Sequence, residues 1–369
     1  MTPIDQLTGV LQVRPGRQRP AALSGMRPDW AATLARGRAA SALPDTLAAL
    51  FSLCGQAHRL CAGAAVGAAL GREYASAAAA RPLRAETVRE HLRRVLLDWP
   101  GQLAPAASHD AQQALAGCPA FRAGTDDATL ARWAERHLVG QPLAQWLDER
   151  ERDAGAAWAR WCAGDGWLPR LMRDVCRHAG TPVTAGVALR IHADEDGVRR
   201  LADALRDDAT FTRRPRVLGA CAETGSWTRL NDSGPMPRSA SERLAARVAE
   251  LVRLLLPDAP ARAGTQWLRS GALPLAPGEG IAWVEMARGL LVHHVVLDGG
   301  QGDARVEHCR VLAPTEWNFH PDGAVAQALE ALPDDGSPDT LRRVSALMAA
   351  YDPCVRYELP DRHEESTHA

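Results

Sequence analysis

Mainly helical α+β is the fold class this 369-residue chain predicts, and three observations carry it. Apolar residues recur at helical spacing through the first two thirds, β-prone runs cluster between Ile281 and Leu312, and helical spacing returns after Gly323. No apolar run reaches the roughly 18 residues of a membrane span. The Ala-rich stretch from Cys61 to Ala80, interrupted by Arg72 and Glu73, therefore reads as a buried helix.

The elements follow in order. Glu86 to Trp99 sets Val88, Leu92, Val95 and Leu96 on one helical face, and Thr129 to Leu147 and Ala154 to His178 repeat the pattern. Ser239-Ala-Ser-Glu242 has capping-box spacing ahead of the apolar run Leu244 to Leu256. Leu103 to Thr125 and Asn231 to Pro237, rich in Pro, Gly, Ala or Asp, are expected as surface connections. Ile281 to Ala287 and Leu290 to Leu297 read as strands; the turn Asp298-Gly-Gly-Gln-Gly-Asp303 leads to another, Ala304 to Leu312, and a hairpin is the natural arrangement. The loop Pro314 to Pro321 comes next, then helices over Gly323 to Leu332 and Thr340 to Tyr351. Pro353 lacks a backbone donor and disfavours helix at Asp352, so Cys354 is expected in a fixed loop at a helix end. No internal repeat is visible, and one domain over residues 1–369 with a flexible tail over 358–369 is expected.

Composition narrows the function. With 46% hydrophobic and 24% charged residues the chain resembles an ordinary globular protein with ample core, and a net charge of −1 gives no footprint for nucleic acid or an anionic membrane. All 43 basic residues are Arg, which removes Schiff-base lysine chemistry and the lysine of a phosphate-binding P-loop. The opening Met-Thr-Pro-Ile-Asp lacks a charged-then-apolar signal pattern, so a cytoplasmic setting with reduced thiols is expected.

The eight cysteines contain no Cys-x-x-Cys, which argues against zinc-finger and ferredoxin patterns. Two of them bracket the chain: Cys54 in Cys54-Gly-Gln-Ala-His58 and Cys354 in Asp352-Pro-Cys354. A thiolate beside an imidazole or a second thiolate suits iron, nickel, copper or zinc, but two sulfurs are too few for a closed site. A free cysteine on an apolar segment is ordinarily a small buried hydrophobe, and His58, one helical turn on, equally suits a core hydrogen bond.

These residues resemble the large subunits of nickel-iron hydrogenases, which hold their metals with an N-terminal Cys-Gly-x-Cys-x-x-x-His motif and a C-terminal Asp-Pro-Cys-x-x-Cys-x-x-His motif. Cys54 and His58 match the end of the first motif, whose first cysteine is here Phe51. Cys354 matches the first cysteine of the second, whose other cysteine is Tyr357 and whose histidine is Pro360. Glu285-Met-Ala-Arg288-Gly289 resembles the family's Glu-Ala-Pro-Arg-Gly and is followed by His293 and the Asp298-Gly299 turn. Glu223-Thr-Gly225-Ser-Trp-Thr-Arg229 matches Glu-x-Gly-x-x-x-Arg, and Pro314-Thr-Glu-Trp-Asn318 with Pro321 matches the loop that lines the diatomic ligands of the iron. The glutamate the family uses for proton transfer is Thr8, which cannot relay protons as a carboxylate.

With two of four metal thiolates missing, the resemblance implies a fold like the hydrogenase large subunit without turnover of its own. It points to the HupK/HoxV-type hydrogenase maturation proteins. By that resemblance Cys54 and Cys354 are the metal-binding candidates for an Fe(CN)2(CO) unit, without nickel. Arg288 would pair with cyanide, Thr315 would donate a hydrogen bond, and His58 would support the site. The implied partners are the small chaperone and iron-unit assembly protein of the maturation machinery and the apo large subunit, with no nucleic acid and no membrane span. A catalytically degenerate structural subunit of a hydrogenase complex is the alternative. Cys61, seven residues after Cys54, is read as core, Glu316 as solvated or specific to a subgroup, and His293 as a structural hydrogen-bonding residue.

Overall fold

The computed structural model describes residues 9–25, 28–105, 108–122, 124–178, 182–184, 186–232, 234–256, 267–299 and 302–359. Thr8, Pro360 and the tail beyond residue 359 lie outside them. The described residues begin with β1 (Val10–Val13) and β2 (Leu23–Ser24), then run through α1 (Trp30–Ala35), α2 (Leu43–Leu50), α3 (Gly55–Ala69), α4 (Ser76–Arg93), α5 (Trp99–Leu103) and α6 (Ser108–Gly117). Four helices follow: α7 (Asp127–Ala134), α8 (Leu143–Arg152), α9 (Ala154–Cys162) and α10 (Trp167–His178). After β3 (Val187–Ala188), α11 (Glu195–Asp207), β4 (Ala222–Glu223) and α12 (Ala240–Leu254) come the strands β5 (Ser270–Ala276), β6 (Glu279–Met286), β7 (Gly289–Asp298) and β8 (Arg305–Leu312). The described residues end with α13 (Pro314–Asn318), α14 (Ala324–Glu330), α15 (Pro338–Tyr351) and β9 (Arg356–Glu358). Mainly helical α+β is therefore the architecture.

Strands β5 to β8 form one antiparallel sheet in sequence order, larger than the expected hairpin. The addition is β5, hidden from pattern reading by Gly271 and Pro274; it is an edge strand whose register shifts between Pro274 and Ala276, a place where a proline is tolerated. Ala-rich α3 lies against one face of the sheet so closely that a Cβ on Gly280 would come within 2.5 Å of Ala65 O and Ala69 N. Small residues on both sides are what permit that approach. The other face carries a second core, with Leu201 and Leu205 of α11 and Trp317 of α13 against Ile281, Leu290 and Val292. Both faces of β7 are thus covered, which is why its residues are buried almost without alternation, His293 and His294 included.

Other expectations change for local reasons. The helix expected over 129–147 breaks where Gly140 takes a left-handed φ of 78°, and the one over 154–178 breaks at the Gly-Asp-Gly between α9 and α10. The connection expected over 103–125 contains α6 and a short 3-10 turn, Pro119–Phe121. Ser239 caps α12 as its spacing implied, accepting from Glu242 N at 3.2 Å. At the ends of the chain β9 pairs parallel with β1, Val10 opposite Arg356. The loop carrying Cys354 is therefore anchored by α15 on one side and β9 on the other.

Candidate functional site

Cys54 occupies the N-cap position of α3 and is 7% exposed. Gly55 is needed there, because a Cβ would lie 2.8 Å from Ala48 O at the end of α2. The next amides would be orphaned at the start of the helix. Glu86 of α4 takes both, accepting from Gln56 N at 2.7 Å and Ala57 N at 2.9 Å. Burial raises the Glu86 carboxyl above its ordinary range, with those two amide bonds opposing.

Cys354 enters from the far end of the chain and is half-buried. Its loop begins at Asp352, the C-cap of α15, with φ 57°, a left-handed conformation that Asp tolerates better than most residues. Arg247 donates to the Asp352 carboxylate at 2.7 Å, Arg94 approaches it at 2.9 Å and Arg288 Nε at 3.2 Å. Burial alone would raise this carboxyl; Arg288, Arg247 and Arg94 together outweigh it and hold Asp352 well below the usual carboxylate range.

Arg288 sits at the tip of the β6–β7 turn, closed by the pair Met286 and Gly289. Gly289 has φ 134°, and a Cβ there would come within 2.5 Å of Thr224 Oγ1, the acceptor for Leu290 N at 2.9 Å. Only glycine suits that position. Beneath the turn, Arg229 donates to Met286 O at 2.8 Å while its Nε holds Glu250 at 2.6 Å, and His91 reaches the same carboxylate at 2.8 Å. The effect is to fix a guanidinium that is 1% exposed. Burial disfavours its charge, yet Asp352, Cys354, Cys54 and Glu90 together keep it well above the ordinary arginine range. Arg288 Nη2 donates to Glu90 at 3.1 Å, whereas Nη1 is buried with no acceptor and Nε makes no hydrogen bond.

Thr315 lies in α13, which packs against β4 and β7. Its side chain is buried and its Oγ1 has no partner. Glu316, expected to be solvated or peculiar to a subgroup, is 5% exposed and accepts from Ala313 N at 2.9 Å, so it caps the helix that presents Thr315. His58 shares a 3.1 Å hydrogen bond with His293 and stacks on Phe51 with ring centroids 3.9 Å apart. The position of the absent first cysteine is therefore filled by a ring that covers His58. Tyr357, in place of the other absent cysteine, is half-buried and lines a cavity of about 210 Å³ with Arg94, Trp99 and Asp352. Cys61 is wholly buried and donates to Ala282 O at 3.4 Å, and burial pushes its thiol far up, as befits a core residue.

Sequence reasoning singled out Cys54, Cys354 and Arg288, and both thiols lie near enough to bear on the charge of Arg288. It missed Glu86, Glu90, Arg94 and Arg247, since nothing in their spacing marks them, and it read Asp352 only as the residue before Pro353. Among the described residues, no group of three or more His, Cys, Asp or Glu side chains is arranged to hold a metal ion. Any metal on the two thiols would need ligands brought from elsewhere.

No family model matches the chain. It is 41% identical over 389 aligned positions to the hydrogenase expression/formation protein HoxV of Cupriavidus necator, with 100% of each chain covered. It is 32% identical over 356 positions to HupK, of the same description, from Rhizobium leguminosarum bv. viciae, covering 92% of this chain and 91% of that one. Among solved structures, the Ni-Fe-Se hydrogenase of Desulfovibrio vulgaris Hildenborough superposes with a TM-score of 0.54 at 17% identity, covering 90% of this chain and 92% of that one. An NAD+-reducing [NiFe]-hydrogenase gives 0.51 at 16% identity over 90% and 91%. The fold is that of the nickel-iron hydrogenase large subunit.

Proposed function

This chain belongs to the HoxV/HupK family of hydrogenase expression/formation proteins, and from that premise we propose that it is a non-catalytic scaffold of hydrogenase maturation whose cargo is an Fe(CN)2(CO) unit. The observation that carries the proposal is a buried guanidinium, Arg288, whose Nη1 lacks an acceptor, together with the buried, unpartnered Thr315 Oγ1. A buried unpaired donor costs about 1–3 kcal/mol, so such donors persist where something else fills them.

The residues present fit the cargo. Cyanide offers nitrogen acceptors to Arg288 Nη1 and Thr315 Oγ1, both buried and unpaired. Cys54 and Cys354 would supply thiolates, and the unit brings its own remaining ligands, which suits a site without a third protein donor. Phe51 and Tyr357 stand where two further thiolates would be needed for nickel. Asp352 and Glu90 would orient Arg288, while Glu86 fixes the start of α3 and hence Cys54. With two protein ligands the unit could be carried and still depart to the apo large subunit. The small chaperone and assembly protein of the maturation machinery would deliver it in the cytoplasm.

Anaerobic purification from a host with its maturation machinery, followed by iron and nickel analysis and infrared spectroscopy of the cyanide and carbonyl stretches, tests this. Iron without nickel, with bands lost in Cys54→Ala, is the expected result. Metal-free protein with no bands would instead make the chain a degenerate structural subunit.

A further inference from the structure

On the sheet face opposite α3, a groove of about 410 Å³ runs along α11. Leu201 and Ala204 of α11 and Phe211 form its apolar floor, and Arg190, Arg200 and Arg216 stand around it. At one end is a two-residue hairpin in which Val217 and Ala220 exchange both backbone hydrogen bonds at 2.9 Å. Its central residues, Leu218 and Gly219, have φ of 48° and 80°. Such turns favour Asn or Gly at both positions, and a leucine at positive φ is uncommon and strained. Nothing in the fold uses that leucine, since Leu218 is 88% exposed, more than any other large apolar side chain among the described residues.

The charges are unbalanced in the same place. Arg200 has no ion pair or hydrogen bond among the described residues. Arg190 donates only to the backbone oxygen of Asp232, at 2.7 Å, and its Nε is buried without a partner. Arg216 is held by Asp322 at 2.6 Å and by Gly219 O at 3.2 Å, which stiffens the hairpin. Asp194, the acid lining the groove, already accepts from Gly197 N at 2.6 Å as the N-cap of α11. An apolar floor, a strained leucine held out to solvent and two arginines without carboxylates define complementary chemistry.

We infer that this groove docks an acidic, leucine-bearing peptide segment of a partner protein, its carboxylates on Arg190 and Arg200 and its apolar side chains against Leu218 and the floor. The inference does not rest on the iron-unit reading, because the groove lies over the second core and shares no residue with Cys54, Cys354 or Arg288.

Fluorescence anisotropy with the full chain tests it. The probes are a labelled helical peptide of Leu and Glu, its Lys-for-Glu counterpart and sodium acetate as competitor. The acidic peptide is expected to bind about tenfold or more tighter than the basic one, and to weaken as salt rises. Arg200→Glu and Leu218→Asn are each expected to weaken it by about tenfold, the scale of a modest interface anchor. Asn suits a positive φ, so Leu218→Asn retains the fold, checked by its thermal melt. Equal binding of both peptides, variants that bind as tightly as the parent, or full competition by acetate alone would overturn the inference. So would a dimer of the parent chain that Leu218→Asn converts to monomer, which would make a second copy the occupant.

Discussion

Replacing Asp352 with Asn removes a charge while keeping the backbone, because Asn also tolerates the left-handed φ of 57°. Arg247, 2% exposed, and Arg288, 1% exposed, would then share a buried cluster short of one carboxylate, and Arg94 would lose the partner it holds at 2.9 Å. Removing one partner of a buried ion pair costs about 3–5 kcal/mol. The amide oxygen still accepts one hydrogen bond, so about 3 kcal/mol is expected, a large part of the 5–15 kcal/mol typical of a domain. The sign with pH follows from the depressed carboxyl. Its contribution is full above the unfolded value of about 3.9 and fades as pH falls from there through the lower folded-state value. Urea unfolding at pH 7 should therefore show the full deficit, shrinking only below about pH 4. A deficit under about 1 kcal/mol at pH 7, or one unchanged at pH 2.5, would refute the account of Asp352 as a charge held by three arginines.

Gly289→Ala should destabilise by about 1–3 kcal/mol, because φ is 134° and a Cβ lies 2.5 Å from Thr224 Oγ1; calorimetry reads it as a lowered Tm. Thr315→Val removes a buried hydroxyl without a partner, so the cargo-free protein should be unchanged or slightly more stable in urea, while the proposed loaded form shifts its cyanide stretch. Iodoacetamide should modify Cys176 first among the buried and exposed thiols. A hydrogen bond from Cys162 is the chief cause that brings the Cys176 thiol down to about 6, so its labelling rate should rise through that pH, whereas Cys309, pushed up to about 12 by burial, stays unmodified in the native state.

The sequence was most legible where chemistry is local. Capping at Ser239, the end of α15 at Asp352 and the strands either side of Arg288 all follow from propensity and turn rules within a few residues. β5 was not legible, since its pairing with β6 supplies what Gly271 and Pro274 withhold. The site divides the same way. Motif positions mark Cys54, Cys354 and Arg288, yet the carboxylates that orient them come from α4 and from a cap, separated in sequence by up to 198 positions in the Glu90–Arg288 bond. Glu316 misleads in the other direction: a charged residue in a loop reads as solvated, and only the N-terminus of α13 shows why it is buried.

The same electrostatic frame bears on why a carrier would be built this way. Around Arg288, the carboxylates of Asp352, Glu90 and Asp98 are shared among Arg94, Arg247, Arg288 and Arg93, which approaches Glu90 at 3.5 Å. Glu86 adds a further acid beside the start of α3. Iron(II) with two cyanides and a carbonyl carries no net charge, so in the proposed loaded form two coordinating thiolates would add negative charge beside Arg288. In the proposed loaded form, binding would displace the thiol protons, which would couple retention to pH. A catalytic centre meant to hold its metals permanently would be expected to add ligands and countercharge. This chain instead puts rings at Phe51 and Tyr357. Under the proposed function, the cargo would be held by donors of fixed direction, Arg288 Nη1 and Thr315 Oγ1, and by only two thiolates, an arrangement suited to handing it on.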